Sequence, residues 1–588
     1  MLIALLLVFS LIFCSCEFLD DFLSSLESLN SSSSESESES ESISAVGSES
    51  ESESESETQI DTSSFPTIKY IADEGGTIIG LSEQRVAIGE RTEEVRVKAN
   101  SGYRFLGWSD GIMLMRRSDE VKGDATYTAR FERFYTVTFA CDSKQGTISG
   151  KAIQQVTNGA ATTEVTASAK AGFKFLCWDN GETSPTITIS PTDSAKITAI
   201  FVPSSLQFPS IYIETKDSAP IVSKETYLNC YITVSNTSED YALDKVTGQV
   251  RGRGNTSFQV EKCSYKIKFD VRTDLFGMGD ARDWALISNH FDLSIVRNYI
   301  AYAVASKFET QQFACKNQFI DLYINGEYRG VYLACEQVEV QENRVNITEG
   351  SKEEDTGYLI ELDSRAEDRG FYVFGKFHAV KTPNPNKSEL SSEQMTYIFR
   401  YVSSAHSTIL KKSWSEVCEV VDVNSFAEAY VIYELFKCVD VGYASFFMFK
   451  EAGGKLAVGP VWDFDRSMGN VGNNDAARRH DSLWARKDNM WFLGLFMHEE
   501  FELLVREKLE KYLPTIRQTL DACYIYLEAH EKSFDRNFER WDILGGYVYP
   551  NPSELNRLQT WREHLDWLKV YINNSIDFMV KTYPPTSE

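Results

Sequence analysis

The strongest chemical signal in the sequence is a pair of carboxylates at the end of an apolar strand, in the run SFAEAYVIYELFKCVDVGYASFFMFKEAGGKLAVGPVWDFDRSMGN over residues 425–470. Extended backbone points residues i and i+2 the same way, so Asp463 and Asp465 of Trp462-Asp463-Phe464-Asp465 share a face. Like charges so placed repel unless a divalent cation sits between or beside them. Asp440 lies 23 residues before Asp463. The intervening pattern predicts an apolar helix ending at Asp440, then a hairpin of ASFFMFK and KLAVGPV turning at Gly453-Gly454. Carboxylates on the loops before and after a hairpin can meet across it. One acid would then serve a nucleophile and the other a metal, the division of labour of phosphoryl transfer. A turn Asp and a helix-capping Asp-Phe-Asp account for the same residues without chemistry, and both readings stay open at this level.

Three more segments carry groups of interest. In RGRGNTSFQVEKCSYKIKFD, residues 251–270, Gly252 and Gly254 let backbone approach a ligand closely. The following strand puts Lys266, Lys268 and Asp270 on one face and Tyr265, Ile267 and Phe269 on the other. Such a face could hold phosphate, although no GxxxxGK[ST] is present and a solvated strand edge shows the same alternation. In DWALISNHFDLSIVRNYIAYAVA, residues 283–305, Asp292 is placed to cap a helix starting near Ser294, with Arg297 as an interior hydrogen-bond hub. In FIDLYINGEYRGVYLACEQVEVQENRV, residues 319–345, Asn325-Gly326 predicts a hairpin turn. Glu336 then follows an apolar strand, where a buried carboxylate needs a cation; Lys268 is the candidate, and an exposed acid at a strand end is the alternative.

The elements that must position these groups sit in a long, composite chain. At 588 residues it exceeds one core, and a net charge of −27 argues against nucleic acid as a partner. Fourteen of the acids lie between Glu17 and Asp61, before the first basic residue, Lys69; without them the balance is −13, an ordinary mildly acidic surface. Residues 1–16 open on the apolar MLIALLLVFSLIF and end in Cys14-Ser15-Cys16, too short for a membrane span and suited to a signal peptide. Cys after a small residue resembles a bacterial lipoprotein signal, with Cys16 the lipidation candidate and a plain cleaved signal the alternative. Residues 17–66 read as a solvated tether, because 31 to about 64 is dominated by Ser-Glu alternation with almost nothing to bury. Next comes an internal repeat, 67–133 and 134–203, with Gly102 and Gly172, and Trp108 and Trp178, each 70 residues apart. Period-2 alternation broken by Gly-Gly, Asn-Gly and Asp-Gly predicts two small all-β modules with Trp in their cores. Strands then interleave with long helical patterns over 204–588, an α+β domain large enough for a cleft. The Cys spacing lacks CxxC and no HExxH occurs, which excludes zinc-ribbon and zincin chemistry; Cys263, Cys335 and Cys438 lie in apolar runs as small hydrophobes.

Taken in order, GRGNTSF with YKIKFD, SNHFDLSIVRN, YINGEYRGVYLACEQV, GYLIELD and GPVWDFDRSMGN resemble the spore-coat-protein-H (CotH) kinase family over roughly residues 206–580. The two modules resemble divergent internalin-type B-repeats. The first resemblance implies a pared-down, atypical protein-kinase-like domain that uses ATP and Mg2+ to phosphorylate Ser or Thr of a protein acceptor. It implies Asp440 as catalytic acid, Asp463 as metal ligand with Asp465 beside it, Lys268 and Arg253 on phosphate, and Glu336 orienting the Lys. Asp465 stands where some members have Asn, and HRD and DFG strings are absent. The expected protein is an exported kinase, lipid-anchored to a bacterial membrane, with β-repeats that serve as spacers or contact wall polymer or carbohydrate. Its rival is a surface-binding protein whose kinase-like domain is catalytically idle.

Overall fold

The computed structural model describes residues 65–348, 351–365, 369–381 and 390–585. Cys16, the signal segment and almost all of the tether lie outside them. Among the described residues no helix is long and apolar enough to cross a membrane.

The two modules share one plan. In the first, Gly76–Ile79, Val95–Ala99 and Arg116–Arg117 form an antiparallel three-stranded sheet, and Tyr103–Trp108 pairs with Ala125–Cys141. In the second, Gly146–Ser149, Val165–Ala169 and Thr186–Ile187 repeat the small sheet, and Phe173–Trp178 pairs with Ala195–Pro203. The 17-residue strand Ala125–Cys141 continues from one module into the next, so the expected boundary at 133/134 falls inside continuous backbone. Trp108 and Trp178 are buried in the cores, and each indole N–H donates to a carbonyl of the following loop, Leu114 O at 3.0 Å and Ser184 O at 2.9 Å. Burial with a satisfied N–H is what makes Trp a core residue here.

The α+β domain begins with a closed barrel of seven strands, in spatial order Ser210–Thr215, Leu228–Ser235, Leu243–Arg253, Ser264–Asp274, Asp280–Ile287, Glu327–Glu336 and Asn317–Ile324. Parallel pairing of the first with the last closes it. Its interior holds Ile213, Ile232, Val250, Tyr265, Ile267, Phe269, Trp284 and Leu322, alternate residues along each strand. Asn325 and Gly326 both take positive φ, 51° and 84°, which is the two-residue hairpin turn their identity predicts.

A second, five-stranded sheet runs in the order Gly370–Val373, Lys376–Lys381, Tyr358–Leu362, Phe446–Lys450 and Leu456–Val458. It packs with the helices Arg297–Ala305, Ser392–Lys411, Val423–Phe436, Glu499–Ala529 and Trp561–Thr582 around a large apolar core. Val423–Phe436 buries nearly its whole surface, so its sequence is apolar on every side rather than amphipathic. The helix expected to reach Asp440 stops at Phe436. Lys437 takes left-handed φ/ψ of 50° and 52°, and its ammonium folds back to Glu434 O at 2.6 Å and Glu434 Oε1 at 2.9 Å. This fully buried pair ends the helix and turns 437–440 into a loop.

Candidate active site

The loop after that helix presents Asp440. Its carbonyl accepts the N–H groups of Tyr443 and Ala444, both at 2.8 Å, in a tight turn. The turn is pinned from outside: Gly442 N–H donates to Asp488 Oδ2 at 3.1 Å, and the Asn489 amide donates to Val441 O at 2.7 Å. A Cβ on Gly442 would meet Asp488 O at 2.1 Å, so glycine is what allows this close approach.

Asp463 and Asp465 lie just beyond the hairpin partner strand. Trp462 and Phe464 turn inward, Trp462 stacked on Tyr302 and Phe464 on Tyr433, with ring centroids 5.6 and 5.4 Å apart. Asp463 has φ of 66°, an unusual backbone for a residue with a Cβ. The Asp-Phe-Asp run is therefore a loop and not the extended backbone its spacing predicts, and the two carboxylates meet at the cavity for that reason and not by strand alternation. Asp463 is held there by its N–H on Tyr302 Oη at 3.3 Å and by Phe464 N–H on Asn298 Oδ1 at 2.7 Å. Behind it Arg297, buried and ion-paired with Asp292, donates Nε to Ser467 O at 3.0 Å. The helix starts at Arg297 and not near Ser294; Asp292, five residues before it, still accepts the Arg297 N–H at 2.9 Å, and Arg297 ties that helix to the Asp-Phe-Asp loop. The two acidic loops touch: Cys438 Sγ donates to Asp463 O at 3.5 Å, and Ser445 Oγ donates to Asp463 Oδ2 at 3.3 Å.

Asp440, Asp463 and Asp465 line one cavity of about 590 Å3, together with Arg253 and the turn Gly254–Ser257. Arg253 reaches it by lying over the Trp462 ring at 5.5 Å. The turn is shaped by glycine: a Cβ on Gly252 would meet the Phe258 ring at 1.9 Å, and Gly254 has φ of 87°. Three cations not singled out in the sequence complete the wall. Arg466 lies 3.8 Å from Asp440, Arg365 sits over Tyr443 at 5.4 Å, and Lys381 pairs with Glu361 at 2.8 Å.

Two expected residues are elsewhere. Strand alternation puts Tyr265, Ile267 and Phe269 inside the barrel and therefore Lys268 outside it, opposite Gln249 and Asp283 and away from the cavity. Glu336 is buried, as the apolar run before it implies, but its cation is Arg344 at 2.7 Å, and it also accepts the Lys316 N–H at 2.8 Å. The expected Lys268–Glu336 pair is thus corrected to Arg344–Glu336. Arg344 comes from the irregular segment after the strand, which no periodicity could place. The Lys–acid pair facing the cavity is Lys381–Glu361, on adjacent strands of the second sheet. The only sequence trace of it is GYLIELD, an apolar strand interrupted by an acid.

Burial and mutual repulsion work against ionisation of Asp463 and Asp465. Burial pushes the Asp463 carboxyl up, the Asp440 charge adds to this, and Arg253 and Arg365 oppose it. Asp465 is pushed well up by burial and then by Asp463 and Asp440, against Arg466. Carboxylates held this way ionise readily only beside a cation. Among the described residues no three His, Cys, Asp or Glu side chains converge as a ready-made metal site. Mg2+ does not need one, since it is commonly held by one or two carboxylates with substrate phosphates and water completing the shell. Asp463 and Asp465, hard oxygen donors at a cavity with four cationic side chains, fit that pattern.

Residues 250–579 match the family described as CotH kinase protein. Residues 66–134 and 135–205 each match the family described as divergent InlB B-repeat domain. A search among curated proteins finds no match. The first match spans more than half of the 588 residues and includes Arg253, Asp440, Asp463 and Asp465. The chain therefore belongs to the CotH kinase protein family, with two divergent InlB B-repeat domains preceding its kinase-family domain.

Proposed function

We propose that this protein is an exported, lipid-anchored atypical protein kinase that transfers the terminal phosphate of ATP to a Ser or Thr hydroxyl of a protein acceptor. The observation that carries the reading is the shared cavity: Asp440, Asp463 and Asp465 arrive from the two sides of one hairpin and face the same space as four cationic side chains. Asp463 and Asp465 would hold Mg2+, which on the nucleotide supplies charge neutralisation at the phosphates. Arg253, with the glycine-shaped turn beside it, Arg365, Arg466 and Lys381 are placed to bind phosphate oxygens, an electrostatic role that needs positioning and no covalent bond to the enzyme. Asp440, kept in place by the Tyr443 and Ala444 N–H bonds, orients the acceptor hydroxyl and takes its proton as the oxygen bonds to phosphorus and ADP departs. Cys16 would carry the lipid and the Ser/Glu segment would space the folded modules from the membrane.

Incubation with ATP, Mg2+ and an acceptor protein, read by mass spectrometry, tests this. The wild-type chain should add phosphate, and Asp440→Asn should bind nucleotide yet add at most about 1% as much, the scale of losing a general base. Equal phosphate incorporation by Asp440→Asn would overturn the assignment. No incorporation by wild type, with no thermal stabilisation by MgATP, would favour the idle scaffold.

A further inference from the structure

The two repeats have the same backbone but opposite surface chemistry on one face. In the second, the outward residues of the small sheet are hydroxyl-bearing: Thr147 pairs with Ser168, Ser149 with Thr166, and Thr166 with Thr186. The same register in the first reads Thr77 with Lys98, Ile79 with Arg96, and Arg96 with Arg116. Three exposed cations thus replace three hydroxyls. The adjoining loop changes with them. Glu182-Thr183-Ser184-Pro185 in the second repeat corresponds to Ile112-Met113-Leu114-Met115 in the first, with Met113 and Leu114 67% and 68% exposed. Ile79 and Leu81 add exposed apolar surface beside it.

This apolar tip is built into the fold. Trp108 N–H donates to Ile112 O at 2.7 Å and its indole N–H to Leu114 O at 3.0 Å, matching the bonds of Trp178 to Glu182 O and Ser184 O. In the second repeat the turn before the loop is approached by another element, since a Cβ on Gly181 would meet Asp521 at 3.1 Å and Asp179 pairs with Lys307, while Glu182–Pro185 are exposed. The equivalent Gly111 has nothing within 4 Å. Arg96 already pairs with the exposed Glu94 at 2.9 Å and Asp110 with the buried Arg117 at 2.9 Å, so among the described residues Lys98 and Arg116 are the cations of this face without an ion pair.

We infer that the first repeat is a membrane-docking module, its Arg96, Lys98 and Arg116 face binding anionic phospholipid headgroups and its Ile112–Met115 loop entering the acyl boundary. Cations ringing a rigid apolar tip match the layering of such an interface, charge outside and hydrocarbon within. The rest of the acidic chain, at −27 overall, would be repelled from it, so docking has to be local. This inference does not depend on the kinase reading or on a lipid at Cys16.

Hydrogen exchange of the full chain, with and without vesicles, tests it by position, so any anchoring by the N-terminal segment does not obscure the result. Vesicles of phosphatidylcholine with 30% (about one third) phosphatidylglycerol should slow exchange in peptides covering 95–99 and 110–117, leaving 180–187 unchanged, and pure phosphatidylcholine should do neither. Arg96→Thr with Lys98→Ser and Arg116→Thr, the residues the second repeat carries at these positions, should weaken partitioning of the patch about 100-fold. Met113→Ser with Leu114→Ser is a second variant, expected to lose loop protection while keeping some at 95–99. No protection with anionic vesicles would overturn the inference. So would equal protection by soluble polyphosphate, which would mark a polyanion site, or protection that follows protein concentration without vesicles, which would mark a second copy.

Discussion

Replacing Asp465 by Asn should stabilise the protein without a divalent cation and weaken its response to one. Asn keeps the shape and removes one negative charge from a cluster in which burial, Asp463 and Asp440 all work against ionisation of Asp465. At an effective dielectric constant of 20, two unit charges roughly 7 Å apart repel by about 2 kcal/mol. Cavity water and partial protonation reduce this to about 1 kcal/mol, a rise in Tm of roughly 2 °C for a domain of this size. The assay is thermal unfolding at neutral pH in chelator and again in MgATP. Wild type should gain about 2–3 kcal/mol at a hundredfold excess of nucleotide over its Kd, and Asp465→Asn distinctly less. A variant that melts lower than wild type in chelator, and gains as much from MgATP, would refute the electrostatic reasoning.

Two further outcomes follow from the buried polar groups around the site. Arg297→Met leaves Asp292 buried without its cation and cuts the tie to Ser467, so it should destabilise by roughly 3–5 kcal/mol in chemical denaturation; a loss under 1 kcal/mol would show the pair to be dispensable. His378, His406 and His564 are buried with their imidazoles pushed down to about 4, chiefly by desolvation. The unfolded chain therefore binds more protons between pH 6.5 and 4, so the stability these groups carry is present above pH 6.5 and lost as pH falls toward 4. Each is worth roughly 1–2 kcal/mol at pH 5. Melting curves at pH 7.5 and 5 should show a clear drop in Tm that His378→Phe diminishes, and an unchanged drop in that variant would exclude His378 as a contributor.

What could be read in the sequence was whatever depended on local periodicity or turn chemistry. The repeats, the Asn325-Gly326 hairpin, the bond of Asp292 to the helix start and the inward face of the Ser264–Asp274 strand all follow from spacing over a few residues. The meeting of Asp440 with Asp463 and Asp465 was legible because one short hairpin links them, leaving few ways for their loops to diverge. Lys268 was misplaced because alternation says which residues share a face and not which face meets the cavity. Glu336 found Arg344, and the cavity gained Arg365, Arg466 and Lys381, through contacts that join segments with no common pattern. The helix end at Phe436 was hidden for a different reason. Lys437 takes a left-handed backbone with its ammonium on Glu434 three residues earlier, and it is the packing of the Trp484–Arg486 segment, whose Trp484 and Arg486 N–H groups donate to Glu434, that buries this pair.

The central claim, that the aspartates on either side of one hairpin share a metal–nucleotide site with divided roles, is tested most directly by Mn2+ binding followed by electron paramagnetic resonance in the presence of ATP. One tight, nucleotide-dependent Mn2+ per wild-type chain is expected, retained in Asp440→Asn and weakened at least about 100-fold in Asp463→Asn, the scale of losing a charged ligand. Tight Mn2+ binding that survives Asp463→Asn unchanged would contradict it.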